Sequence, residues 1–115
     1  MSATPYRSEW LRGVLELCVL RTMTGGPTYG YAIAAELAEA GFGDIKGGTL
    51  YPLLGRLEKS ALVTVEWRAG EGGPGRKYFA LTDAGREALE QGTSQWRVFA
   101  ATVGSHLSPT PAASR

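Results

Sequence analysis

The sequence predicts a mainly α chain with a small β-hairpin, an α+β arrangement, on three observations. Leucine-rich segments repeat at helical spacing, and two alternating segments flank a glycine-rich run at 69–75. A last helical stripe continues to Leu107, past the point where a small body would close. At 115 residues the chain is one domain with room for a modest core. A hydrophobic content of 43% with 20% charged residues is ordinary for a globular protein and excludes global disorder.

Residues 1–7 read as a flexible N-terminal arm. Over 8–23, Leu11, Val14, Leu15, Cys18 and Val19 recur at helical spacing and predict a first helix. Thr24-Gly25-Gly26-Pro27 breaks it. A second helix is expected from Thr28 as its N-cap, running through Ile33, Ala34 and Leu37 until Gly41 and Gly43 end it. The third is expected over 48–60, with Leu50, Leu53, Leu54 and Leu57 at i, i+3, i+4 and i+7. Pro52 is expected in its first turn, where backbone N–H groups lack helical partners.

Alternation predicts strands over 62–68 and 76–81, and the polar run 69–75 between them is expected to project as a flexible tip. Thr82 then caps a fourth helix that starts at Asp83, whose carboxylate suits the positive end of the helix dipole. It reaches about Leu107, with a soft point expected at Gly92-Thr93-Ser94. The tail 108–115 has too little apolar surface to fold. The sum is a winged helix-turn-helix over 8–82 plus a long C-terminal helix over 83–107.

Net charge is only +1, but its distribution is uneven. Residues 1–45 carry three arginines against five acids, 46–77 carry six bases against three acids, and 78–115 carry three of each. The excess falls on the third helix and the hairpin, where a localised phosphate footprint would lie. On the third helix the leucines take one side, while Gly48, Thr49, Tyr51, Pro52, Gly55, Arg56 and Lys59 take the other. A major groove about 12 Å wide admits such a helix if its outer face is not crowded, which the two glycines ensure. Thr49 and Tyr51 offer hydroxyls to phosphate or base edges, although Tyr51 equally suits packing at the hydrophobic boundary. The planar fork of Arg56 matches guanine O6 and N7, and Lys59 suits phosphate. Arg76 and Lys77, at the base of the tip, suit the flanking backbone. The glycine-rich run is no nucleotide loop, since it joins two strands and lacks the Gly-Lys-Ser/Thr ending.

Along the last helix Trp96, Phe99, Ala100, Val103 and Leu107 form one apolar stripe that a second copy of the chain would cover. Trp10, Val14 and Cys18 would extend that surface; folding of the helix back on its own domain is the other expectation. Trp96 offers a plane on which a flat aromatic effector could stack, with Phe99, Trp10 and Val14 nearby, or serves only as a packing anchor.

Other chemistry is thin. One cysteine, Cys18, excludes an intrachain disulfide and suits a reduced cytoplasmic setting. With His106 the single histidine, neither a zinc site nor a hydrolytic triad can be assembled from one chain, so no enzyme and no cofactor are expected. No apolar run approaches the roughly 18 residues of a membrane span.

Several motifs carry a resemblance. They are Arg12-Gly13-Val14-Leu15-Glu16-Leu17, Tyr29-Gly30-Tyr31, 48–54 (Gly-Thr-Leu-Tyr-Pro-Leu-Leu), Arg56-Leu57-Glu58 and 75–82 (Gly-Arg-Lys-Tyr-Phe-Ala-Leu-Thr). In order and spacing, over roughly 8–107, they resemble PadR-type transcriptional regulators. The resemblance implies a homodimeric bacterial repressor that binds a palindromic operator in double-stranded DNA and is released by a small molecule. It also implies dimerisation through the last helix, as in the short subfamily. Some short members hold flat aromatic ligands between paired tryptophans at the dimer centre, where Trp96 would stand. The competing expectations are a winged-helix protein-interaction module, supported by the modest net charge, and an aromatic-ligand-binding dimer with no direct DNA role.

Overall fold

The computed structural model describes residues 5–70 and 73–109. Residues 1–4 of the expected arm, 110–115 of the expected tail, and Glu71 and Gly72 of the expected tip lie outside them. The first helix is two helices, α1 (Ser8–Arg12) and α2 (Leu15–Arg21). This corrects the single helix expected over 8–23. Gly13 has weak helical preference, and the β-branched Val14 leaves helical geometry at φ −129°, ψ −7°.

Thr28 is not a cap. Thr28–Tyr29 forms a short strand, β1, and the next helix, α3 (Gly30–Leu37), starts after it. The partner of β1 comes from some fifty residues downstream, as Thr28 pairs with Phe79 and Tyr29 with Tyr78. A π-type turn, Ala38–Phe42, prolongs α3 until Gly41 at φ 109° and Gly43 at φ 81° end it, in a region only glycine enters readily.

α4 (Gly47–Lys59) begins one residue earlier than expected, and Pro52, its sixth residue, lies in the second turn and not the first. The proline therefore leaves the Gly48 carbonyl without its helical donor. α4 ends in a Schellman arrangement: the Ala61 N–H donates to the Glu58 carbonyl and the Leu62 N–H to the Leu57 carbonyl, both at 3.0 Å. Ala61 takes the left-handed position at φ 62° where glycine is usual.

β2 (Val63–Gly70) and β3 (Gly73–Leu81) pair antiparallel and form a three-stranded sheet in the order β1-β3-β2. Residues 69–70 and 73–75, expected in a loose tip, are strand, because pairing satisfies backbone groups whatever the side chains. A register shift between Arg68 and Gly70 absorbs the odd residue. α5 (Asp83–Leu107) is one unbroken helix, so the soft point expected at Gly92 is absent. Instead a Cβ at Gly92 would run into the Leu17 side chain, so this glycine sets the approach of α5 to α2.

The core gathers Leu15, Val19 and Leu20 of α2, Ile33 and Leu37 of α3, the four α4 leucines, and Val63 and Phe79 of the sheet. Removing each such side chain from water contributes on the order of 1.5–3 kcal/mol. The α5 end of the body is locked separately. Thr82 Oγ1 accepts from the Gly85 N–H at 2.9 Å and donates to the Ala61 carbonyl at 2.8 Å. Gly85 lies so close to the Leu62 carbonyl that any Cβ there would collide with backbone.

Candidate nucleic-acid interface

Because the apolar stripe of α4 is sealed in the core, Gly48, Thr49, Tyr51, Pro52, Gly55, Arg56 and Lys59 are all exposed together. They do not face one way. Thr49 and Arg56 lie on the flank toward α1, lining a hollow of about 220 Å³ with Ser8, Arg12 and Lys46. Pro52, Gly55 and Lys59 form the outermost surface beside Glu58, and Arg56 borders this surface as well as the hollow. Tyr51 lies on the opposite flank, where its ring covers Gly30 so closely that a Cβ there would collide with it. The glycine of Tyr29-Gly30-Tyr31 thus makes room for the Tyr51 ring, and Tyr51 is both exposed and packed. Arg12 and Lys46 were not singled out as site residues, yet they bring two more cations beside Arg56; Lys46 is ion-paired with Asp44 at 3.5 Å. Lys46 precedes α4 without a side-chain cap, and the first turn has no acid, so the positive end of the helix dipole is left unopposed.

The hairpin separates its two cations. Neighbouring residues in a strand point to opposite faces, so Arg76 and Lys77 cannot share one. Arg76 joins the outer face, stacked 4.2 Å from the Tyr29 ring, while Arg68 stacks 4.3 Å from Tyr78. The Tyr29 and Tyr78 rings are 5.3 Å apart, completing a ladder of alternating strands. Lys77 sits on the inner face, the one that carries Val63 and Phe79 into the core, and its Nζ lies 3.7 Å from Glu58 Oε1 on α4. Directly across from Lys77 stands Trp67, 68% exposed. The sequence reading passed over Trp67, although its place in the alternation of 62–68 was the signal for it.

Trp96, Phe99, Val103 and Leu107 are exposed along α5, with Ala100 half-buried between them. Trp96 and Val14 line an apolar cleft of about 440 Å³ between α2, the end of α3 and α5. Phe99 and Trp10 do not line it; Trp10 stands on α1 with the Arg7 guanidinium over its ring at 5.1 Å. Cys18 opens onto the same cleft, and burial pushes its thiol pKa up, favouring the unreactive neutral form. Among the described residues no group of three or more His, Cys, Asp or Glu could hold a metal ion, and no helix is long and apolar enough to cross a membrane.

A helix with a cationic outer face, here α4, lying beside a two-stranded wing is the arrangement of winged-helix DNA-binding proteins. The model of the transcriptional regulator PadR-like family matches residues 19–91. A transcriptional regulator of Mycobacterium tuberculosis is 36% identical over 83 residues, covering 72% of this chain and 76% of that protein. Among solved structures, a PadR family transcriptional regulator from Eggerthella lenta is 40% identical, with TM-score 0.81, covering 90% of this chain and 89% of that one. A PadR-like regulator from Bacillus cereus is 36% identical, with TM-score 0.77, covering 89% and 99%. The chain belongs to the PadR-like family of transcriptional regulators, which are non-enzymatic DNA-binding proteins and generally dimeric.

Proposed function

We propose that the protein is a homodimeric repressor that binds a palindromic operator and leaves it when a planar aromatic effector is bound. The observation that carries the reading is the presence of two exposed surfaces, one on α4 and one on α5. α4 presents a low, cationic face with nothing over it, and α5 presents an apolar stripe that a second copy would bury. Two subunits joined along Trp96, Phe99, Ala100, Val103 and Leu107 would hold their α4 helices as a pair. Half-site centres would then lie about 34–36 Å apart, or a multiple of that. Gly48, Pro52, Gly55 and Lys59 enter the groove with Arg56 reaching a base edge, Thr49 and Tyr51 meet its two rims, and Arg76 or Lys77 grips flanking backbone.

The cleft beside Trp96 supports the effector reading. It is apolar, has room for a small planar molecule, and lies against α5 at the base of the stripe. A ligand there releases DNA only by binding more tightly to the subunit arrangement that fits the operator less well.

Fluorescence anisotropy on duplex from the gene's own upstream region, with sedimentation of the same sample, tests the reading. Salt-sensitive binding by a dimer, preferred over random duplex, is expected. Arg56→Ala should weaken specific binding by about 1–3 kcal/mol. A chain that stays monomeric at micromolar concentration, or that binds random duplex equally well, would refute it.

A further inference from the structure

We infer that the wing meets DNA with its inner face alone, and that Trp67 and Lys77 on that face form its contact with the sugar–phosphate backbone of the duplex. The inference rests on the operator-binding reading above and assigns the wing's part in it.

The argument starts from strand geometry. Trp67 and Lys77 are directly paired across β2 and β3, as are Arg68 and Arg76 one position nearer the tip, so the two pairs project from opposite faces. The outer pair is already engaged. Each guanidinium lies over a tyrosine ring, and Arg68 also lies 3.6 Å from Glu66. Such stacks hold cations in place and stiffen a two-stranded ribbon that has no core of its own.

Lys77 of the inner pair is engaged too, its Nζ 5.6 Å from the centre of the Phe79 ring, but its other tie runs to α4. Lys77 reaches Glu58, and Glu58 adjoins Gly55 and Lys59 on the outermost surface of α4. The inner wing face and the exposed face of α4 are therefore one continuous surface, meeting at Glu58. A duplex seated on α4 lies beside this face and behind the other. Trp67 is a large aromatic left 68% exposed at that position. Its indole brings an apolar plane that suits a deoxyribose and an N–H that donates to a phosphate oxygen. Beside it the Lys77 ammonium supplies the charge complement of the same phosphate rail. The Glu58 carboxylate holds Lys77 in position until a phosphate replaces it.

The test is anisotropy on upstream duplex across a salt series, with parent, Trp67→Ala, Lys77→Ala, Arg68→Gln and Arg76→Gln chains, each checked for an unchanged circular dichroism spectrum. Trp67→Ala is expected to weaken binding roughly tenfold, and Lys77→Ala to lower the slope of log K against log salt by about one. The Arg68 and Arg76 variants should keep the parent slope. The difference between parent and Trp67→Phe emission isolates the Trp67 component, which should shift on DNA binding. Equal loss of slope in Arg76→Gln and Lys77→Ala would overturn the assignment, as would Trp67 emission that stays constant while anisotropy shows saturation. An emission shift that follows protein concentration without DNA would give this face to a second copy of the chain and equally overturn it. A parent that binds no duplex at all would instead strike down the operator reading itself, so the two failures are distinct.

Discussion

In α4 the apolar stripe of Leu50, Leu53, Leu54 and Leu57 is sealed inside the body, whereas in α5 the stripe from Trp96 to Leu107 remains in the open. Both helices carry apolar residues at the same i, i+3, i+4, i+7 spacing, so the pattern alone does not say what will cover it. The difference lies in what the chain can place opposite. α4 is enclosed by α2, α3 and the sheet, all within reach of short connections. α5 meets α2 near Gly92 and then runs on, with Gly85 its one fully buried residue. Amphipathicity therefore records the need for a partner, and topology decides whether that partner is the same molecule.

The largest effect that would break this contrast is at its buried pole. Leu54, 1% exposed, should cost about 2–5 kcal/mol when changed to alanine, measured by urea unfolding. A loss near zero would mean that the stripe is not sealed. Thr82→Ala removes both the cap on the Gly85 N–H and the tie to the Ala61 carbonyl, and should lower stability by about 1–2 kcal/mol. An unchanged unfolding midpoint would show that α5 is anchored elsewhere. Ala61→Gly should do the reverse, raising stability by about 0.5–1 kcal/mol, because glycine occupies the left-handed position at less steric cost. Destabilisation would argue against the Schellman ending of α4.

At the exposed pole, Phe99→Ala should change the stability of dilute protein by no more than about 0.5 kcal/mol, since the ring is 62% exposed. Its effect should appear as loss of the concentration dependence of the melting temperature that a dimer confers. A large cost in dilute protein would mean that α5 folds back on its own domain.

Much of this contrast was legible in the sequence. The four leucines of α4, the Thr82 cap and the stripe of α5 are local patterns, and local patterns survive without knowledge of the fold. The elements that escaped depend on distant or marginal terms. β1 exists because Phe79 and Tyr78 arrive to pair with it, and nothing near Thr28 announces them. The break after Arg12 balances a weak glycine and a β-branched valine against an otherwise sound helical pattern. In the candidate interface, the outer face of α4 followed from its spacing. The grouping of Arg12 and Lys46 beside Arg56 needed the packing of α1 against α4. The opposed directions of Arg76 and Lys77 are a plain consequence of strand alternation, and Trp67 was written in that same alternation.

The junction at Thr82 and Gly85 has a mechanical consequence. Backbone of the α4–β2 turn and backbone of the first α5 turn touch there without a side chain between them, so the direction in which α5 leaves the body is set by main chain alone. α5 is about 37 Å long, and a tilt of about 10° swings its far end by roughly 6 Å.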